Sequence, residues 1–255
     1  MSTIDREVVL EALSALTGST LKPYTGLKGS LKSDPELNIF NFIAAAILGQ
    51  EFLKLLGVSA DVESTLQYMS LRDEMFVDMD EFFEPRFDYD FRHLTDKSVC
   101  MRGSEPYTRP CGWYRFALKV LDKYPDGNAW LGTDGWRSHS VAGEWPVSYH
   151  GTSVQGATGI VKTHYTAGPR QLYGRGIYST YDIDQASGYS KEFTSKKTGK
   201  RYRVLMQNRI NPKMRKVCKR KDYWLIEIPD GTSAAKEKEI VEKSIRPYGI
   251  LLKEV

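Results

Sequence analysis

From residue 147 onward, short runs rich in β-branched and aromatic residues alternate with glycine-punctuated turns, and this rhythm leaves few folds open. Residues 147–149, 176–178, 202–210, 223–228 and 248–252 each have the composition of a strand. Helical signals among them are sparse, apart from 152–161 and 182–191. Strands in such close succession, preceded by helices, predict an α+β domain with a mostly antiparallel sheet.

The preceding helices are read from their periodicity. Val8, Val9, Leu13 and Leu16 recur at helical spacing after Asp5, and Gly18 follows the end of the pattern. Residues 20–33, rich in Gly, Lys and Thr, read as a loop. Asp34-Pro35 then caps a helix that is apolar nearly all round (Ile39, Phe40, Phe42, Ile43, Ile47, Leu48, Phe52, Leu55) and is expected to be buried until Gly57 closes it. A third, acidic helix is expected over 61–83. Pro85 marks the boundary between a helical N-terminal region, 1–84, and a second region, 85–255. Beyond it, 87–91 alternates like a strand, 114–121 reads as a short helix ended by Pro125-Asp126-Gly127, and 246–252 reads as a closing edge strand that tolerates Pro247.

Charge is unevenly distributed over the 255 residues. The formal net charge is +4, yet 191–221 holds 13 basic residues against the single acid Glu192, which marks this segment as a place for an anionic partner, an acidic protein or a nucleic acid. Conversely, 61–96 holds 11 acids against three arginines; it reads as a solvated acidic face, or as a docking surface for a basic segment. Three cysteines without metal-type spacing argue against a disulfide framework. The start of the chain lacks a secretory pattern, and the apolar run 39–48 is too short to cross a bilayer. A cytoplasmic or nuclear protein without a membrane partner is expected.

Within the strand-rich part, three motifs carry chemistry. His150-Gly151-Thr152 follows a short strand; Gly174-Arg175-Gly176-Ile177-Tyr178 precedes another; Gly188-Tyr189 comes 11 residues after Tyr178. A histidine beside a bare backbone amide, with two tyrosines, suits a flat aromatic amide attached to a ribose. His150 suits a hydrogen bond to a ribose hydroxyl, Gly151 lets its amide approach a carboxamide, and two phenol rings suit stacking on an aromatic ring. Cleaving an anomeric carbon from a positively charged pyridine passes through an oxocarbenium-like state. The departing ring needs little acid catalysis, but a carboxylate is needed to stabilise the developing charge.

This order of motifs resembles the catalytic domain of the poly(ADP-ribose) polymerases, part of the wider diphtheria-toxin type of ADP-ribosyltransferases. The resemblance covers mainly residues 145–228. It implies a split-sheet ADP-ribosyltransferase fold and NAD as co-substrate, with no metal. It further implies that His150 contacts the nicotinamide ribose, that Gly151 and Thr152 line the pocket, and that Tyr178 and Tyr189 stack on the ring. The family's late glutamate maps to Asp222, ahead of Tyr223-Trp224-Leu225-Ile226; Glu227, at an odd offset from Asp222, is expected on the opposite side of its strand. His150, Tyr178 and Asp222 are thus the expected catalytic residues. Ala186 stands where the family often has a carboxamide-binding serine, with Ser187 beside it, and Gly156 stands where it often has an asparagine. A short basic loop at 213–221 and an aspartate imply transfer of single ADP-ribose units to a protein or nucleic-acid acceptor. A binding module of the same fold without turnover, and an NAD glycohydrolase, remain open.

Overall fold

The structure, a computed structural model, describes residues 4–18, 20–24, 39–48, 74–96, 99–133, 139–151 and 173–255. Its spine is β10 (Arg201–Ile210), a ten-residue strand buried from Val204 to its end. On one flank lies β13 (Ile245–Glu254), then β6 (Tyr114–Ala117) and β3 (Tyr89–Asp90). On the other lie β7 (Val147–His150), β8 (Gly176–Thr180), β12 (Tyr223–Glu227) and β11 (Lys216–Val217). Every pairing along this path is antiparallel, in accord with the α+β class expected from the strand rhythm.

The left flank of β10 is shared. Its first half, Arg201 to Val204, pairs with β9 (Lys191–Thr194), and its second half, Met206 to Arg209, pairs with β7. β7 and β9 therefore meet end to end beside Leu205. The joint between β7 and β8 is a single residue pair, Tyr149 with Thr180. Regular pairing of β7 with β8 thus ends one residue before the C-terminus of β7.

Helices cover one face. α1 (Arg6–Thr17) and α2 (Ile39–Leu48) set Val8, Leu13 and Phe42 against Phe116, Val204, Ile250 and Leu252; α5 (Ala234–Ser244) adds Val241. Each of these side chains is buried completely or nearly so, a gain of about 1.5–3 kcal/mol apiece. The opposite face is covered by α4 (Ile183–Ser187) and by the hairpin of β4 (Val99–Arg102) with β5 (Glu105–Thr108). There Ile183, Ala186 and Tyr107 pack on Tyr149, Leu205 and Leu251. Asp5 caps α1 through the Glu7 amide, and Gly18, at φ +72°, closes it on the Ser14 carbonyl.

Several elements differ from the sequence expectation. Residues 20–23 are not loop but β1 (Thr20–Pro23), parallel to β2 (Glu74–Val77), so the expected acidic helix does not extend over 74–77. Its final turn survives as α3 (Met79–Phe82), capped by Asp78; residues 61–73, Asp34-Pro35 and Gly57 lie outside the described residues. Residues 114–117 are strand β6, not helix, because alternating Tyr114 and Phe116 enter the core between two partner strands, and this pairing overrides the local helix-forming tendency of the residues that follow. β13 is central rather than an edge. Pro247 is accommodated there because it sits opposite Asn208, at the register shift between Gln207 and Asn208. α5, built mainly from Ala, Lys and Glu behind the Ser233 cap, is a helix where the sequence pattern predicts none.

The three cysteines are free thiols. No helix among the described residues is long and apolar enough to cross a membrane.

Candidate functional site

Register explains why the chemical motifs converge. On β10, Met206 is opposite His150 of β7 and Val204 is opposite Lys191 of β9, so the end of β7 and the start of β9 lie two residues apart, roughly 7 Å along the strand. The chain leaves β7 through Gly151 and arrives at β9 through Gly188-Tyr189-Ser190. The two meet: a methyl group placed on Gly151 would lie 2.5 Å from the Tyr189 carbonyl oxygen and 2.6 Å from its carbon. Only a residue without a side chain fits this approach.

His150 ends β7 with 9% of its surface exposed. Its Nδ1 lies 2.7 Å from the Tyr178 carbonyl oxygen. A carbonyl only accepts, so Nδ1 carries the proton and Nε2 presents its lone pair. Nε2 is buried and has no hydrogen-bond partner among the described residues. Burial holds the imidazole pKa below its ordinary value, against the opposing pull of the Tyr178 carbonyl, and the ring is neutral at pH 7. The residue is thus an oriented hydrogen-bond acceptor, the form suited to gripping a hydroxyl.

Tyr178 is half-buried on β8, and its hydroxyl donates to the Gly174 carbonyl at 2.6 Å. Gly174 and Gly176 take φ of +116° and +155°. At Gly176 an added methyl would collide with the Ile226 carbonyl at 2.0 Å, so this glycine lets β8 lie close against β12. Arg175 between them is anchored on the Ile228 and Pro229 carbonyls and on Glu237, which ties the turn to α5.

Tyr189 is 37% exposed, and its ring meets Tyr223 edge-on at 6.5 Å, with the two hydroxyls 3.2 Å apart. Tyr223 did not figure among the expected site residues. Its signal was its place directly after the mapped acid. Burial, reinforced by the Tyr189 bond, pushes its hydroxyl up to about 12. Asp222 immediately precedes it, and its carboxylate accepts from Arg220 at 2.8 Å, whose guanidinium lies 4.7 Å from the Tyr223 ring. Asp222 is thereby joined through Arg220 to the Tyr223 ring, which in turn meets Tyr189.

Glu227 is the last residue of β12 and is opposite Gly176; Leu225 is opposite Tyr178. It accordingly shares the face of Tyr178. It is 56% exposed at the side chain and bonded to Lys216 at 2.6 Å. Both candidate carboxylates therefore hold a cation, and Asp222 is the less exposed, at 22%. Ala186 is buried in the apolar cluster with Ile183 and Leu205, so it lies in packing and not in a polar site. Ser187 ends α4 half-buried, its carbonyl accepting from the Ser190 hydroxyl. Thr152, Gly156 and the helix expected over 152–161 lie outside the described residues.

The basic segment is largely paired. Glu192 holds Arg201 and Arg203, and acids from elsewhere hold Lys197, Lys200, Arg209, Arg215 and Lys216. Among the described residues of 61–96, the acids with an ion pair meet Arg6, Arg86, Arg92, Arg109, Lys119, Lys123 or His93, and none meets the basic segment. No three His, Cys, Asp or Glu side chains converge on a metal site among the described residues. Compared with known proteins, the chain matches no family model and no curated protein.

Proposed function

We propose that the chain is an NAD-dependent mono-ADP-ribosyltransferase built on the split-sheet ADP-ribosyltransferase fold, its catalytic part within 85–255. The observation that carries the reading is the junction of β7, β8 and β9. A neutral, oriented His150 leaves Nε2 buried as an acceptor, while bare Gly151 abuts Tyr189. In this reading Nε2 accepts from a hydroxyl of the nicotinamide ribose, the Gly151 backbone holds the carboxamide, and Tyr178 and Tyr189 border the ring. The bond from the anomeric carbon to the pyridine nitrogen breaks, and its electron pair leaves with neutral nicotinamide. The acceptor nucleophile forms the new bond and loses its proton to water. Asp222 stabilises the cationic sugar, which requires it to release Arg220 or to share it.

The acceptor is a macromolecule with negative charge close to 213–221. Lys213, Lys219 and Lys221 are exposed there and make no ion pair among the described residues. The Arg220–Asp222 pair also supports a second reading, a module that binds NAD or ADP-ribose without turnover, because a carboxylate held by guanidinium is a weaker charge stabiliser.

Incubation with NAD and candidate acceptors, followed by intact-mass measurement and nicotinamide assay, separates these. Transfer is read as one ADP-ribose increment per acceptor. Asp222→Asn is expected to reduce transfer at least 100-fold with little change in NAD affinity, whereas Tyr189→Ala weakens NAD binding about tenfold. Nicotinamide release without transfer indicates hydrolysis, and binding without release indicates the module. Absence of NAD binding, transfer and release together would overturn the proposal.

A further inference from the structure

Away from the β7–β9 junction, a cavity of about 40 Å³ is walled by Arg102, Arg115 and Arg209 with Tyr107, Trp130 and Tyr248. A water needs roughly 10–15 Å³ of such space, so this one has room for a few waters or for one small tetrahedral anion. Three guanidinium groups round a space of this size repel one another unless matched. Glu144, whose side chain is fully buried, serves two of them: it takes Arg209 at 2.9 Å and Arg102 at 3.7 Å. Its other oxygen is occupied by the Gly103 amide and the Ser140 hydroxyl. Arg115 has no acid within salt-bridge distance among the described residues. It donates to the Phe87 carbonyl at 3.0 Å and to Gln207 at 3.4 Å, and its buried Nε has no partner among them. The nearby Asp88 is committed to the Ala117 amide and to Arg6.

The fold builds this arrangement. Arg115 lies across β13 only because residue 249 is glycine: a methyl there would come within 2.7 Å of the Arg115 Cδ. Tyr248 holds Arg115 and Arg209 at 5.7 and 6.0 Å from its ring, and Tyr107 holds Arg102 at 6.0 Å. Arg209 is 3% exposed. Arg115, with no acid in reach among the described residues and a buried Nε without a partner there, favours an anion that accepts several hydrogen bonds at once, and planar guanidinium groups suit an oxoanion.

We propose that this cavity binds a phosphate-class oxoanion, either free inorganic phosphate or the terminal phosphate of a larger molecule. The site is distinct from the proposed NAD pocket and does not depend on that reading. The full chain in phosphate-free buffer at pH 7 is titrated with sodium phosphate, phenyl phosphate or, at matched ionic strength, sodium chloride. Calorimetry and thermal unfolding are read together. Phosphate is expected to bind saturably and to raise the unfolding midpoint above that in chloride. Binding of phenyl phosphate as well indicates a terminal phosphate; binding of inorganic phosphate alone indicates a closed site. Arg115→Gln weakens phosphate about tenfold or more. Arg115→Lys, which keeps charge without the planar fork, weakens it less and carries the comparison if the first variant does not fold. Equal midpoints in phosphate and chloride with no binding heat overturn the proposal, as does unchanged phosphate affinity in the variants.

Discussion

His150 illustrates how one hydrogen bond decides what a residue can do. The Tyr178 carbonyl fixes the proton on Nδ1, and burial keeps a second proton off Nε2. The same burial links the residue to stability. Its folded pKa lies below the unfolded value of about 6.5, so below that pH the unfolded chain binds the additional proton first. The contribution is therefore complete above about pH 6.5 and is lost as pH falls through that value toward the folded pKa. Urea midpoints at pH 7.5 and 5.5 are expected to drop further for the native chain than for His150→Gln; an equal drop would remove His150 as the source. The glycines make a sharper test. Ala at 176 puts a methyl 2.0 Å from a backbone oxygen that belongs to a paired strand, at a φ of +155°. A cost of about 2–4 kcal/mol in urea unfolding is expected, from overpacking and backbone strain together. Ala at 127, with open space round it, meets only the cost of a positive φ, about 1 kcal/mol.

At the scale of elements, β13 is the strand on which the sheet depends, since it pairs with both β10 and β6 and is buried on both faces. Leu251 reaches the cluster of Tyr149 and Leu205 and is wholly buried. Leu251→Ala is expected to cost about 2–5 kcal/mol in denaturant unfolding, the range for a cavity in a packed core. The strands from 147 onward were legible because their runs of branched and aromatic residues stand out between glycines. The central place of β13 was not, because Pro247 is an edge signal and its compensation, the register shift between β10 and β13, exists only once the two strands pair. β6 was hidden for a similar reason: residues 117–121 favour a helix locally, and the demand of two neighbouring strands is visible only in three dimensions. In the candidate site, His150, Gly151 and Tyr189 were legible from motif spacing. Tyr223 and Arg220 were not, since neither carries a distinctive local pattern, and their part comes from strand register and ring contact.

For the molecule as a whole, the division at Pro85 separates sequence textures, while the apolar core crosses it. Val8, Val9, Leu13 and Leu16 from α1 and Phe42 from α2 belong to one cluster with Phe116, Val204, Ile250 and Leu252 of the sheet. α1 is also bound to the far end of the sheet by polar contacts: Glu11 accepts from the Lys196 amide at 2.9 Å, and Glu7 holds Lys197 at 2.9 Å. The exposed ion pair adds little, but the apolar burial is large. Five such side chains contribute on the order of 10 kcal/mol before the cost of ordering the helices, comparable with the entire net stability of a domain, about 5–15 kcal/mol. The candidate site lies wholly in 85–255, yet that part is expected to need the N-terminal helices in order to fold. A chain starting at residue 85 should show no cooperative thermal transition and should bind a hydrophobic dye, whereas Leu13→Ala in the full chain should unfold cooperatively at a lower midpoint. A cooperative transition in the shortened chain near that of the full one would show that the sheet closes its core without α1 and α2.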